Sequence, residues 1–115
     1  MTAAEQHVWE TVQALNRAWS EGRRDDVPPF LHRERVGSWR TNDDASTVLE
    51  WREDDAHVRL YQSVAAVVTY AYQVRYRTHD GELKERRGRD AVFLVRENGR
   101  WLVIADLLTR EPAAT

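Results

Sequence analysis

The amino-acid sequence predicts an α+β fold in which N-terminal helices pack against an antiparallel sheet. Residues 3–21 have apolar side chains at helical spacing, whereas the chain from Ala56 onward alternates apolar and polar residues as strands do. Two dipeptides in that second half, Asp80-Gly81 and Asn98-Gly99, are typical of tight hairpin turns. Helices followed by a meander of strands indicate an α+β protein, and the helices must cover one face of the sheet.

The first helix is predicted over residues 3–21. Thr2 and Glu5 have the spacing of a capping box at its start, and Gly22 suits the left-handed position just past its end. Its apolar side chains recur every three or four residues and predict one buried stripe: Val8, Val12, Leu15 and Trp19.

The region that follows is predicted in three pieces. Residues 23–32 read as a second short helical element, because acidic residues and prolines stand where a first turn favours them. Residues 35–40 read as a short strand with Val36 and Trp39 buried, and residues 47–55 as a helical turn. Four strands are then expected, followed by a frayed tail at 111–115: residues 57–61, 65–78, 82–97 and 100–109.

Composition excludes several classes of function. The chain has 115 residues, which is the size of a single domain, and its formal net charge of −2 argues against a nucleic-acid binder. It has no cysteine, so disulfides, thiolate catalysis and cysteine-ligated metals are excluded. No membrane span, signal peptide or histidine pair with metal-ligand spacing is present, so we expect a cytoplasmic protein without metal or cofactor.

The two hairpins also predict which residues lie opposite each other. If each turn has two residues, Tyr72 faces Arg89, Tyr70 faces Ala91, and Ala91 faces Asp106. Asp106, Arg89, Tyr70 and Tyr72 then share one apolar face, while Asp90 lies on the other as a surface or interface charge. A β-bulge would exchange Asp90 with Arg89.

The second face of the predicted sheet is also apolar, and no helix remains to cover it. We therefore expect a twofold homodimer through this outer face. Its apolar residues are Val92, Leu94, Trp101 and Val103.

The order of these elements resembles the nuclear transport factor 2-like superfamily, in particular its small bacterial SnoaL-like and ketosteroid isomerase-like members. The resemblance covers most of the chain, and its motifs mark the fold more than the chemistry. It rests on Leu15, Trp19 and Gly22, on Gly88-Arg89-Asp90, and on Asn98-Gly99-Arg100-Trp101 followed by Val103.

The resemblance implies a cone-shaped fold, with a curved sheet wrapped around the helices and an apolar pocket at one end. Members are commonly dimers through the outer sheet face, and they include isomerases, cyclases, dehydratases, epoxide hydrolases and non-catalytic binding or assembly modules. Fold alone therefore does not decide the function. Residues 104–109 lack the histidine that many small members carry there, and the first helix lacks the tyrosine of the true ketosteroid isomerases.

Asp106 stands where several catalytic members place an acid–base carboxylate. It is the candidate base for proton abstraction next to a carbonyl, with Arg89, Tyr70 or Tyr72 as the donor to the resulting oxyanion. In an epoxide hydrolysis Asp106 would instead orient water. A purely structural ion pair between Asp106 and Arg89 is the alternative to both.

The candidate ligand-binding residues lie in irregular segments or on the same predicted face as Asp106. The sequence therefore predicts either a cofactor-independent acid–base enzyme for a small apolar or aromatic molecule, or a non-catalytic ligand-binding or homo-oligomeric assembly module. The candidate pocket residues are Trp39, Trp51, His32, Phe93, Ile104 and Leu108.

Overall fold

The computed structural model describes residues 1–37 and 46–111, which form one helix, two single 3₁₀ turns and one four-stranded sheet. The strands form an antiparallel meander in the order β1-β2-β3-β4, and the helix packs on the inner face of this sheet, as the α+β prediction requires. None of the described helices has the length and apolar composition that a bilayer crossing needs. The elements are α1 Ala3–Ser20, 3₁₀ turns Arg24–Asp26 and Pro28–Phe30, β1 Thr47–Tyr61, β2 Ala65–Arg77, β3 Leu83–Glu97 and β4 Arg100–Arg110.

Helix α1 begins at the predicted residue and ends at Ser20, one residue before the predicted end. The Thr2 hydroxyl accepts a hydrogen bond from the Glu5 backbone N–H at 3.1 Å, and the Glu5 carboxylate accepts one from the Thr2 N–H at 2.7 Å. Gly22 has a φ of 75°, the left-handed conformation that glycine adopts without steric cost. Val8 and Leu15 are fully buried against the sheet, and each contributes about 1.5–3 kcal/mol of burial free energy.

Strand β1 corrects the predicted helical turn at residues 47–55. Val48 lies opposite Tyr76 and Trp51 lies opposite Val74, so both face the core. They are three residues apart because a β-bulge at Leu49 inserts one residue between them. The bulge therefore gives two inward-facing residues of a strand the three-residue spacing that is typical of a helix.

The predicted second helical element at 23–32 is two separate 3₁₀ turns, and neither turn has a side-chain cap. The strand predicted at 35–40 is wrong over residues 35–37, where Val36 is 75% exposed. The remainder of that segment, including Trp39, lies outside the described residues. Residues 31–36 instead run along the edge of β4, where the backbone N–H groups of His32 and Val36 donate to the carbonyls of Val103 and Ile104.

The imidazole of His32 fixes this edge segment to the β3–β4 hairpin. His32 is 2% exposed, its Nδ1 accepts a hydrogen bond from the Glu34 N–H at 3.0 Å, and its Nε2 therefore donates to the Glu97 carboxylate. Arg33 donates to the other Glu97 oxygen at 3.0 Å. These two hydrogen bonds lower the pKa of Glu97, the bond from His32 more than the bond from Arg33.

The pairing of β3 differs from the predicted register on both sides. Thr78 and Glu82 close a three-residue loop with Gly81 in the left-handed conformation, so the first hairpin is not a two-residue turn. All β2–β3 pairs therefore shift by one residue, and Tyr70 lies opposite Asp90 rather than Ala91. A β-bulge between the pairs of Phe93 and Leu94 then shifts the end of β4.

These shifts exchange the two faces of β3. The inner face holds Asp90 together with the four residues that were predicted to form an outer dimer interface, and that prediction is wrong for all four. Each of them is at most 8% exposed beneath the helix or the edge segment: Val92, Leu94, Trp101 and Val103. Arg89 and Phe93, which were predicted inside, are on the outer face and exposed.

Gly88 allows the end of β4 to fold over the inner face of the sheet. It lies opposite Tyr72 on one side and Arg110 on the other. A Cβ at residue 88 would overlap the Thr109 carbonyl oxygen and lie 2.8 Å from its carbonyl carbon. The same oxygen accepts a hydrogen bond from the Tyr72 hydroxyl at 2.9 Å. Only glycine, whose side chain is a hydrogen atom, therefore fits at this crossing of β3 and β4.

We expect Gly88→Ala to lower the free energy of unfolding by about 1–3 kcal/mol, because the added methyl group meets backbone atoms that cannot rotate away. Urea unfolding followed by circular dichroism measures the change. Arg87→Ala, one residue away on the exposed side of β3, is the control and should change stability by less than about 0.5 kcal/mol. Equal effects of the two variants would contradict the close approach.

We expect Glu97→Gln to be destabilising at pH 7 and nearly neutral in acid. A carboxyl group whose pKa is lowered by folding stabilises the protein above its unfolded pKa, and this contribution is lost as the pH falls through the folded pKa. The difference in urea midpoint between wild type and variant should therefore shrink below pH of about 4.3. Glu10→Gln, on the exposed side of α1, should show no such convergence.

Candidate functional site

A pocket of about 870 Å³ lies at the end of the inner sheet face that α1 leaves uncovered. The last turn of α1 and the 3₁₀ turns form one side, and the inner faces of all four strands form the other. Its volume lies within the range of small-molecule sites. Trp51 and Leu108, two of the predicted ligand-binding residues, line it.

Aromatic rings form the inner wall of this pocket. Trp51 stacks on Tyr72 with their ring centroids 5.7 Å apart and an interplanar angle of 8°. Trp19 packs edge-on against Trp51 at 5.4 Å. The Tyr72 hydroxyl is held by the Thr109 carbonyl, so the three rings form a rigid wall that joins α1, β1 and β2.

Basic side chains form the rim. Two successive inner positions of β3 are Lys84 and Arg86, and β4 adds Arg110. The guanidinium of Arg86 lies over the ring of Tyr76, 5.5 Å from its centroid. Arg24, from the first 3₁₀ turn, is the fourth basic residue, and Glu21 is the one acidic residue in the described lining.

A second polar group lies beyond the pocket, within the core. Asn16 donates from Nδ2 to the Glu53 carboxylate at 2.6 Å and to the Tyr70 hydroxyl at 3.0 Å. The Tyr70 hydroxyl donates to Asp90 at 2.8 Å. Asn16, Tyr70 and Asp90 are each at most 1% exposed, so this chain of hydrogen bonds is what makes the burial of Asp90 tolerable.

The four predicted catalytic residues do not come together. Tyr70 and Tyr72 are on the inner face as predicted, and Asp106 lies half-buried opposite Val92 on that face. Arg89 is on the outer face, where its Nη1 donates to Asp55 at 3.0 Å, so its predicted position beside Asp106 is wrong. Asp90, predicted on the opposite face, replaces Arg89 inside because of the shifted pairing.

The other predicted ligand-binding residues are not at the pocket. Phe93 is 42% exposed on the outer face, and Ile104 lies at the bulge of β4 under the edge segment. His32 is buried with Glu97 at the opposite end of β3. Trp39 lies outside the described residues.

The basic rim of the pocket was not predicted from the sequence. Arg86 and Arg87 look like a solvent-exposed pair, yet in a strand two successive side chains point to opposite faces, so one of them had to point inward. Lys84 has the same orientation as Arg86 because it is two residues away. The alternation of side chains along β3 therefore indicates that one of the two arginines points inward. The length of the preceding turn is needed to decide which one.

Metal chemistry has no support in the described part of the chain. Within residues 1–37 and 46–111, no group of three metal-ligating side chains converges. The described lining of the pocket includes neither Asp90 nor Asp106. What the lining offers a ligand is therefore flat aromatic surface, short apolar side chains and positive charge.

We expect Tyr70→Phe to lower the free energy of unfolding by about 1–3 kcal/mol, because it deprives the buried Asp90 carboxylate of a donor and Asn16 of an acceptor. Chemical denaturation at pH 7 measures this change. Tyr72→Phe is the matched control and should cost about 0.5–1.5 kcal/mol, since its hydroxyl donates to the neutral Thr109 carbonyl rather than to a buried carboxylate. A smaller loss for Tyr70→Phe than for Tyr72→Phe would show that the buried chain contributes little.

No protein-family model matches this chain, and no curated protein does. Solved structures do. A calcium/calmodulin-dependent kinase II association domain from Exiguobacterium sibiricum has a TM-score of 0.82 at 12% identity, covering 99% of this chain and 98% of its own. One from Xanthomonas campestris has a TM-score of 0.72 at 14% identity, with coverages of 94% and 88%.

The association domain of the kinase from C. elegans is also similar, with a TM-score of 0.62 at 17% identity, covering 90% of this chain and 93% of its own. At such identities the likeness is one of fold. The narrower expectation of a SnoaL-like or ketosteroid isomerase-like member stays a prediction. The chain has the cone-shaped nuclear transport factor 2-like fold that it shares with these association domains.

Proposed function

We propose that this chain is a homo-oligomeric assembly module, which is the alternative that the sequence analysis left open. The observation that carries the proposal is the division of the outer sheet face into an apolar half and a charged half. Support also comes from the fold, since similar structures are described as association domains of a kinase. In those proteins the name refers to assembly, and we extend it to this chain as a proposal.

The apolar half comprises three neighbouring rows across the sheet, nearest the β1–β2 turn. Its exposed apolar side chains include Phe93 at 42%, Leu107 at 63% and Tyr61 at 66%. The titratable residues in these rows are Arg59, His57 and Tyr61, and all three are on the edge strand β1. The rows are Tyr61, Ala65, Val95 and Leu102; Arg59, Val67, Phe93 and Ala105; and His57, Thr69, Ala91 and Leu107.

The charged half begins at the next row and pairs its charges within the chain. Arg89 binds Asp55 at 3.0 Å, and the bond from Arg89, followed by the one from His57, lowers the pKa of Asp55. Gln73 donates to Glu85 at 2.6 Å, and Arg75 lies 3.3 Å from Glu50. These groups are solvated and already have partners, so this half needs no second molecule.

The chemistry of the apolar half selects its occupant. A partner must be apolar over three rows and must bring no charge to the centre, and a second copy of the same surface meets both conditions. Phe93 projects between two small residues, Ala91 two residues before it and Ala105 opposite. Around a twofold axis, the ring of one copy can fill the space above the alanines of the other.

The acid–base enzyme predicted as the main function has less support. The described lining of the pocket contains one carboxylate, Glu21, and it is flanked by basic residues rather than by an oxyanion donor paired with a base. Arg89 is on the far side of the sheet from Asp106. A small-molecule role for the pocket does not require catalysis.

We expect the protein to run as a dimer or larger oligomer in size-exclusion chromatography with light scattering. Leu107→Asp should weaken the association by at least about 30-fold, because it buries a charge within the apolar interface. Leu83→Asp is the matched control. It changes another exposed leucine, 59% exposed at the far end of β3, and should leave the mass unchanged.

A monomeric wild type at the highest soluble concentration would contradict the proposal, as would equal masses for wild type and Leu107→Asp. Circular dichroism melts of both leucine variants establish that they are folded. Phe93→Ala provides a second, uncharged test, and it should weaken association without introducing a charge.

A further inference from the structure

We infer that the pocket binds an organic dianion with a flat, ring-sized apolar body, such as an aryl phosphate or an aryl dicarboxylate. This inference is independent of the proposed assembly, because the pocket is on the inner face of the sheet and the apolar half is on the outer face. It also revises the ligand class expected from the sequence, which was an apolar or aromatic molecule without a specified charge.

The charge of the pocket is local. The chain as a whole has a formal net charge of −2, yet the described lining holds four basic residues and one acidic one. Across residues 1–37 and 46–111, neither Arg86 nor Arg110 forms an ion pair. Lys84 has only a distant contact, 3.9 Å from Glu82, with both side chains exposed.

Cations on the concave face of a small domain have a cost in stability. Partial removal of a guanidinium from water is unfavourable unless a charge or hydrogen bond compensates it. On the outer face of the same sheet, Arg89 and Arg75 are paired with Asp55 and Glu50. On the inner face the half-buried Arg86 has no carboxylate partner among residues 1–37 and 46–111, and neither has the exposed Arg110, and both residues line the pocket.

The guanidinium of Arg86 is held in place before any ligand binds, and the backbone of Arg110 is positioned by a close strand crossing. Arg86 is held over the ring of Tyr76, and the strand crossing at Gly88 carries Arg110 over the sheet. Fixed donors lose little side-chain entropy on binding, which favours affinity. A guanidinium also presents paired N–H groups that match the two oxygens of a carboxylate or phosphate.

The apolar part of the ligand follows from the opposite wall. Val48, Val74 and Leu108 line the pocket beside the stacked rings of Trp51 and Tyr72. Together they form a broad apolar surface that a flat ring can cover. Two separate cationic sites, Arg86 with Lys84 on β3 and Arg110 on β4, favour two negative charges over one.

The test uses the intact protein and four probes. We expect 1-naphthyl phosphate or naphthalene-2,6-dicarboxylate to bind in calorimetric titrations and to quench tryptophan fluorescence, because Trp19 and Trp51 line the pocket. Neutral 1-naphthol should bind at least about tenfold more weakly, and so should inorganic phosphate, which lacks the ring. Whichever dianion binds more tightly identifies phosphate or carboxylate as the source of the charge.

Arg86→Gln and Arg110→Gln should each weaken dianion binding by about tenfold or more and reduce its salt dependence. Arg87→Gln is the matched control, since it is adjacent to Arg86 but points to the outer face. It should leave affinity unchanged. All three variants should remain folded and keep the oligomeric mass of the wild type.

The inference is overturned if 1-naphthol binds as tightly as the dianions, if Arg87→Gln costs as much as Arg86→Gln, or if neither dianion binds. Because Leu107→Asp alters only the outer face, dianion binding by that variant separates the two proposals. Loss of assembly with retained binding would leave this inference intact.

Discussion

The pairing of β3 with β2 is the constraint on which the rest of the structure depends. Side chains alternate along a strand, so a shift of one residue would exchange everything that β3 contributes to the two faces. The observed pairing places Asp90 and Arg86 inside, and Arg89 and Phe93 outside. The three-residue loop closed by Thr78 and Glu82 sets this pairing, and Gly81 permits the loop because glycine adopts the left-handed conformation without steric cost.

That pairing requires the core to accept a carboxylate. A buried aspartate is costly unless donors surround it, and Tyr70 and Asn16 supply a chain of hydrogen bonds that leads from Asp90 to Glu53 on β1. The chain links α1 to three of the four strands. A slipped β3 would leave the Tyr70 hydroxyl facing Ala91, and the buried donors would lose their partner. The polar group therefore favours one register over its neighbours, which apolar packing alone does less well.

Local signals in the sequence were sufficient for α1, its capping box, the positions of the hairpins and the overall fold class. They were insufficient wherever an inserted residue changes the alternation: the bulge at Leu49 gave β1 a helical spacing, and the bulge of β4 moved Asp106 away from Ala91. His32 could not be assigned because its partner, Glu97, is 65 residues away in the chain. The candidate site depended on the same insertions, so the aromatic wall was partly predicted and the basic rim was not.

The two faces of the sheet differ in whether their basic residues are paired with carboxylates, and this contrast is the best guide to function. On the outer face, arginines and carboxylates neutralise each other in the charged half, and the apolar half is left bare for another surface. On the inner face, α1 covers the apolar side chains of the core, and at the open end Arg86 and Arg110 have no carboxylate partner among residues 1–37 and 46–111. The outer face thus pairs its charged groups within the chain and exposes apolar side chains. The inner face buries apolar side chains and exposes basic ones. A second copy of the chain can cover the exposed apolar side chains of the outer face. An organic anion can pair with the exposed basic side chains of the inner face.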